Sequence, residues 1–319
     1  MQTPTVRTVR PTDFVPLIAF LRNGSHREVT ASAWPEIAGE ASARVLRVVL
    51  RQIMVPPGGY PGAWVCVAEN GVHGLAVAKA RAGKLAWDVK NLFVIDGEQH
   101  VGVELLEQLS GEAVKHGARR VFLATGDDTA ASGLARHAGF VHYTSEVLYG
   151  ARLPAAVAAN GLRAARPRLR QDTQALFQLY NSAVPYKVRL SEAATVEEWN
   201  ALERANRPWA PRLGGSIQHF VWDEPGAIAG WLQITYGAKS QHISLLVGPS
   251  HADAAYDMLQ YGLSQASHKA PIFVPVRDYQ PEVASALVRS GFSPVSEYLV
   301  FAREMTARVP NRAFVPARA

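Results

Sequence analysis

The sequence predicts an α/β (α+β) protein made of two tandem copies of one unit, each a mixed, mostly antiparallel twisted sheet flanked by helices. Three observations predict it. The chain has 319 residues, the size of two domains at roughly 150 residues each, and each half is long enough to bury its own core. Its apolar pattern runs through the same order of strands and helices twice. The halves also match at a near-constant offset: "VRTVRPTD" begins at Val6 and "LRAARPRL" at Leu162, 156 residues on, which sets Arg7 against Arg163, Arg10 against Arg166 and Pro11 against Pro167. Gly74 and Gly230 stand 156 apart as well, and the Gly-Phe pairs at Gly139-Phe140 and Gly291-Phe292 stand 152 apart. "RLPAAVAANG", Arg152 to Gly161, has the Ala, Pro and Gly content of a connector. The expected organisation is residues 1–152, a linker at 153–161, and residues 162–319.

In the first copy a strand is expected at Thr5 to Val9, then helices at Asp13 to Leu21 and near Glu40 to Met54, where Val45, Val49 and Ile53 recur every four residues. Trp64 to Ala68 and Val72 to Lys79 read as strands joined through Glu69-Asn70-Gly71, because Asn-Gly supplies the positive φ of a tight hairpin. Leu85 to Ile95 follows as a strand, then a helix from Gln99 to His116, a strand Arg119 to Ala124, a helix Thr129 to His137 and a strand pair within Phe140 to Tyr149. The second copy repeats this. Thr195 to Glu198 has the form of a capping box before a helix carrying Trp199 and Leu202. A hairpin turns at Glu224-Pro225-Gly226; then come a strand to Val247, a helix His251 to Ser267, a strand Ile272 to Val276, a helix Glu282 to Ser290 and a last strand pair.

Composition narrows the function classes. Cys66 is the lone cysteine, which excludes an intrachain disulfide and a cysteine-ligated zinc site and fits a reducing, cytoplasmic setting. Neither His219 nor His242 has a partner with metal-ligand spacing, so no metal is expected. No window approaches the roughly 18 apolar residues of a membrane span, and Met1 to Arg10 has no apolar core of a signal segment. The 33 Lys and Arg against 27 Asp and Glu are spread along the chain. The local run Arg163, Arg166, Arg168 and Arg170 lacks interleaved aromatics, which disfavours a nucleic-acid partner.

Two segments carry a family resemblance. "NLFVIDGEQHVGVELLEQL" is a strand running into a loop that opens a helix, with Gln99, Gly102 and Glu104 at the three positions of an Arg/Gln-x-x-Gly-x-Gly/Ala motif. "DDTAASGLARHAGF" and "QPEVASALVRSGF" each close a helix with Gly-Phe, with Asp128 and Gln280 at the start and Ala135 and Leu287 where a tyrosine commonly stands. In these features and in element order the chain resembles a tandem member of the GNAT superfamily of acyl-CoA-dependent N-acyltransferases.

The resemblance implies acetyl-CoA, or another acyl-CoA, as co-substrate and an amine of a small molecule or peptide as acceptor, in a monomer of two pseudo-symmetric domains. A helix N-terminus offers unpaired N–H groups and the positive end of its dipole to a diphosphate, and glycine lets the backbone come close. The implied cofactor residues are therefore Gln99, His100, Val101, Gly102, Val103 and Glu104 in the loop and Asp128 beside it. Backbone amides of Phe93, Val94 and Ile95, on a strand splayed from its neighbour, would hold the pantetheine arm and the oxyanion. Asp88, on the same strand, and Tyr143 are the candidates to order a proton-relaying water during direct transfer in a ternary complex, with His219 and His242 as candidates in the second copy. There the corresponding loop, "GPSHADAAYDML", lacks the motif glycines, though Ala252 and Ala254 are small; that copy is expected to be structural or to hold substrate. Glu104, Ala135 and Leu287 depart from the family pattern and motivate an alternative, a non-catalytic acyl-CoA-binding or partner-binding protein.

Overall fold

The structure is a computed structural model that describes residues 4–24, 26–31, 45–46, 49, 62–69, 71–81, 85–152, 165–193, 195–205, 216–237, 240–267 and 270–305. The expected linker, Trp209 and most of the helix near Glu40 to Met54 lie outside these residues. Of that helix, Val45 and Val49 are described; both are helical and buried, as the four-residue spacing requires.

The first half runs β1 (Thr5–Thr8), α1 (Phe14–Arg22), β2 (His26–Glu28), β3 (Ala63–Ala68), β4 (Gly71–Ala80), β5 (Ala86–Ile95), α2 (Gln99–Lys115), β6 (Arg120–Gly126), α3 (Thr129–His137) and β7 (Val141–Ala151). The second runs β8 (Arg166–Pro167), α4 (Thr173–Ala183), α5 (Tyr186–Glu192), α6 (Val196–Ala205), β9 (Ser216–Glu224), β10 (Ala227–Tyr236), β11 (Gln241–Val247), α7 (Ala255–Gln265), β12 (Ile272–Arg277), α8 (Pro281–Arg289) and β13 (Ser293–Glu304). Expected and observed elements coincide closely in the middle of each copy. Gly71 (φ +124°) and Gly226 (φ +81°) supply the left-handed conformations that the β3–β4 and β9–β10 hairpins need. The Thr195 hydroxyl accepts the Glu198 amide at 3.2 Å, so the cap before α6 forms.

Two expectations are corrected. Phe140 to Tyr149 and the end of the chain were each expected to fold into a strand pair, but each forms one long strand whose partners lie in the other copy. Among the described residues all strands join one 13-stranded sheet in the order β1-β3-β4-β5-β6-β13-β7-β12-β11-β10-β9-β8, with β2 paired to β5. β13, from the end of the chain, lies antiparallel between β6 and β7 of the first half, while β7 lies antiparallel against β12 of the second. The copies have thus exchanged their last strands, the intrachain counterpart of a domain swap. Phe301, on β13, is fully buried in the first copy's core beside Leu105, Leu109, Trp87 and Val121.

The repeat offset is corrected near the N-terminus. Arg7 pairs with Asp13 at 2.6 Å and Asp13 accepts the Arg10 amide at 2.7 Å; Arg166 pairs with Asp172 at 2.7 Å and Asp172 accepts the Leu169 amide at 2.7 Å. Arg166 is therefore the counterpart of Arg7, 159 residues on, and its partners Asp172 and Asp223 give it a structural role rather than a nucleic-acid-facing one. The offset at Gly74 and Gly230 holds. An added Cβ at either would run into the helix that crosses β4 or β10, against Leu105 and Val101 at 2.8 Å or Met258 at 2.4 Å.

Candidate active site

Each copy contains a parallel strand pair that begins together and then parts. β5 and β6 are paired from Ala86↔Arg120 to Val89↔Leu123; β11 and β12 are paired only at Gln241↔Ile272 and His242↔Phe273. A gap between diverging parallel strands exposes backbone groups on both edges, and those groups need partners.

In the first copy the chain fills its own gap. β2 pairs antiparallel with β5, setting His26 against Ile95, Arg27 against Val94 and Glu28 against Phe93. The ladder continues beyond β2: the Val29 amide donates to the Leu92 carbonyl at 2.8 Å, the Leu92 amide donates to the Thr30 hydroxyl at 3.1 Å, and the Ala31 amide donates to the Ala124 carbonyl of β6 at 2.8 Å. Residues 26–31 are thus wedged between β5 and β6, and Arg27 forms an ion pair with Asp128. About 40 Å³ of space remains beside Arg27, Val94, Ile95, Gln99 and Leu134. This corrects the expectation that the amides of Phe93 to Ile95 stand free beside a splayed edge: that edge is in a sheet.

The loop residues divide. Gln99, His100 and Glu104 are exposed on the first turns of α2, Val103 is half-buried, and Val101 and Gly102 are buried. Gly102 faces the core, where a Cβ would stand 2.5 Å from a Leu134 methyl, so its lack of a side chain serves helix packing. Asp128 caps α3 by accepting the Ala130 amide at 2.9 Å. An extended acyl-CoA arm does not fit this cleft with residues 26–31 in place.

In the second copy, among the described residues, no strand lies against β11 beyond His242 on the β12 side. The Gln241 amide donates to the Pro271 carbonyl, so by alternation Ile243, Leu245 and Val247 also turn their backbone groups to that side. Gln280 reaches across the gap and donates to the Leu245 carbonyl at 2.9 Å. The residues after β11, Pro249 to Ala254, form a 3₁₀ stretch that leads into α7. His242, at the last paired position, is buried, and burial pushes its pKa down to about 4. It is a neutral imidazole at pH 7.

Asp88 and Tyr143 meet in one buried network built from both copies. Arg81, at the end of β4, reaches Asp88 at 3.5 Å and Glu192 of α5 at 3.1 Å and lies 4.1 Å over the Phe122 ring. Lys90 holds Asp88 at 2.9 Å. Tyr143, on the exchanged strand β7, donates to Glu192 at 2.8 Å; Arg277 holds Glu192 at 3.3 Å and Glu146 at 2.9 Å. Burial opposes the charge on Asp88 and on Glu192, but the neighbouring cations outweigh it and both carboxyls stay below the usual range. Burial, reinforced by Glu192, raises the Tyr143 pKa well above that of a free phenol. Tyr143 is thus a fixed donor, and both carboxylates are ionised and weakly basic. Glu192, Arg277 and Arg81 were missed from the sequence: Glu192 lies 111 residues from Arg81 and 85 from Arg277, and no local pattern joins them. Among the described residues no group of three His, Cys, Asp or Glu side chains could hold a metal ion, and no helix is long and apolar enough to cross a membrane.

No protein-family model and no curated protein matches the sequence. Solved structures do. A GCN5-related N-acetyltransferase from Sphaerobacter thermophilus superposes at a TM-score of 0.58 with 18% identity, over 94% of this chain and 95% of that one. A functionally unknown conserved protein from Staphylococcus epidermidis aligns at 0.53 with 10% identity, over 73% and 92% of the two chains. A tandem GNAT protein from the clavulanic acid biosynthesis pathway aligns at 0.48 with 15% identity, over 88% and 98%. With the divided parallel pair, the crossing helix and the closing Gly-Phe turn present in each half, the chain has the GNAT superfamily fold, built twice along one polypeptide.

Proposed function

We propose that the protein is an acyltransferase that moves an acetyl or short acyl group from acyl-CoA to an amine of a small molecule or peptide, by direct transfer in a ternary complex, and that the second copy is the working one. The observation that carries this reading is the contrast between the two gaps: β5 and β6 are bridged by residues 26–31, whereas β11 and β12 part with the Leu245 amide and the backbone groups of Val247 turned to the gap, Gln280 taking the Leu245 carbonyl. Those groups suit the amides of a pantetheine arm, and the start of α7 suits a diphosphate. Gln99 to Glu104 and Asp128, the residues expected to hold the co-substrate, border the cleft that residues 26–31 fill, so the first copy is structural, which is the non-catalytic alternative applied to one half. Asp88 and Tyr143 position Glu192 rather than touch substrate. Direct transfer needs the amine held neutral against the thioester carbonyl, and orientation supplies much of the acceleration. Cys66 offers no nucleophile: burial, with Glu104 and Glu98 nearby, raises its pKa to about 11.

Two measurements test the reading. Incubating the protein with acetyl-CoA and a panel of amines should release free thiol; coenzyme A binding without release for any amine would leave a binding protein. In calorimetry, Ala252→Glu, at an exposed position before α7, should weaken coenzyme A binding about tenfold through like charge, while His100→Glu, at the exposed start of α2, should not. The reverse result would return the site to the first copy.

A further inference from the structure

The second copy holds a set of buried polar atoms without partners, and their placement is orderly. On β12, Ile272, Val274 and Val276 pack in the core under α7 and α8, so Arg277 faces the opposite side, toward α5. On β10, Leu232 and Ile234 share that core, so Trp231 faces the side covered by α4. These two residues lie on the same face of the sheet, on either side of β11, and form a floor. The roof comes from α4 and α6: Tyr180 is 4% exposed and its ring lies 4.5 Å from the Trp199 ring. Tyr180, Trp199 and Trp231 belong to one apolar cluster with Tyr143 and Tyr279, and Arg277 reaches it through Glu192, which accepts the Tyr143 hydroxyl.

Four atoms there have no hydrogen-bond partner: the Tyr180 hydroxyl, the Trp199 and Trp231 indole N–H groups, and Nη1 of Arg277. The other guanidinium nitrogens of Arg277 are committed to Glu146 and Glu192, which fixes the orientation of the free one. Buried donors are seldom left unpaired. Indole and guanidinium groups donate only, and a phenol readily does so. The occupant therefore supplies acceptors, and a carboxylate, with two oxygens and no proton, answers a guanidinium N–H and neutral donors together. A groove of about 1000 Å³ is lined among the described residues by Arg168, Thr173, Asn200, Ile217 and His219, and the His219 ring stacks on Trp231 at 5.8 Å. The equivalent layer of the first copy is apolar, with Leu17, Phe20, Leu75, Val77 and Phe93.

Resting on the proposed acyl transfer, we infer that the acceptor amine carries a carboxylate, which is taken between the roof of α4 and α6 and the floor of β10 and β12 by Tyr180, Trp199, Trp231 and Arg277. The amine is thereby turned toward the parting of β11 and β12.

The test uses the full chain, free amino acids, their methyl esters, and the amines lacking the carboxyl group. Quenching of tryptophan fluorescence by at least one free amino acid at millimolar concentration, with the matching ester and decarboxylated amine about tenfold weaker or worse, is the expected result. Tyr180→Phe removes only an unpaired hydroxyl, so it should leave Tm unchanged or raised while weakening the acid about tenfold and the decarboxylated amine not at all; with turnover, KM for the acid rises and kcat holds. No quenching by any acid, or equal response to acid, ester and amine, overturns the inference. A Tyr180→Phe effect on Tm with an unchanged acid-to-amine ratio overturns it too. Quenching without thiol release would preserve carboxylate binding and remove the acyl-transfer reading, and thiol release with no preference for acids would do the opposite.

Discussion

Phe301 stands near the end of the chain, yet its fully buried side chain fills the first copy's core among Leu105, Leu109 and Val121. Phe301→Ala empties that space, and truncating a buried phenylalanine costs about 3 to 5 kcal/mol when the cavity cannot collapse. Here α2 and β6 enclose it, and β6 is ladder-bonded to β13 through Phe301↔Leu123. The loss falls on the first copy, so hydrogen exchange in α2 and β6 should quicken by about two to three and a half orders of magnitude, at roughly 1.4 kcal/mol per factor of ten. Phe292, nine residues earlier, is the control: it is 3% exposed in the second copy's core beside Met258 and Leu287. Phe292→Ala should quicken exchange in α7 and α8 first. Exchange mass spectrometry on both variants resolves the two patterns. If Phe301→Ala loosens α7 and α8 while α2 stays protected, or if residues 1–152 alone fold as stably as the whole chain, the reciprocal strand exchange is refuted.

Gly74→Ala should destabilise by about 1 to 3 kcal/mol, because its Cβ would lie 3.0 Å from the Phe93 carbonyl as well as against two methyls; Gly111→Ala, with nothing within 4 Å on an exposed helix face, should stabilise by about 0.5 to 1 kcal/mol, and urea midpoints compare the two. Cys66→Ala should keep full activity, and intact-mass analysis during turnover should find no acyl group on the protein; a thioester on Cys66 would overturn direct transfer. The His242 pKa is lowered from 6.5 to about 4 by burial, so below pH 6.5 the unfolded chain binds the extra proton and stability falls as pH drops toward 4. The total loss approaches about 3 kcal/mol and none is expected above pH 7; a His242→Gln variant with an equally steep decline between pH 6.5 and 4 would assign the loss to another group.

Much of the fold was legible because local pattern decides it. The apolar, β-branched-rich runs of β3 and β4, the positive-φ glycines at the hairpins and the four-residue stripe of Val45 and Val49 each select one element. The exchange was not legible, because alternation in Val141 to Ala151 states that the segment is a strand and says nothing of its neighbours. Eleven residues with mixed burial read equally well as two short strands. β2 escaped notice for another reason: three residues carry no periodicity, and His26 to Glu28 become a strand only through the gap they enter. The site suffered most. Leu176, Leu179 and Tyr180 are the buried face of α4, a helix the sequence did not single out, and only the structure reveals that the Tyr180 hydroxyl is left without a partner.

Strand exchange also accounts for how differently the two halves have been treated by their own residues. Each sheet is completed by the other half's last strand, so neither half can be discarded, and each must keep a core whatever else it does. The first half meets only that demand. Its parting strands are bridged by residues 26–31, its helix-facing layer is apolar, and backbone groups of Leu92 and Ala124 at the gap find partners in Thr30, Val29 and Ala31. Both halves bear buried polar atoms without partners, each costing about 1 to 3 kcal/mol if nothing binds them, but in the second half Tyr180, Trp199 and Trp231 share one apolar cluster with Arg277 beside it. A ligand that pairs the donors of Tyr180, Trp199, Trp231 and Arg277 repays that cost. On that reasoning the motif glycine in the first copy and the polar vacancies in the second tell the same story: Gly102 remains because Leu134 leaves no room for a side chain, while Tyr180, Trp199, Trp231 and Arg277 remain polar because the molecule they meet is not part of the chain.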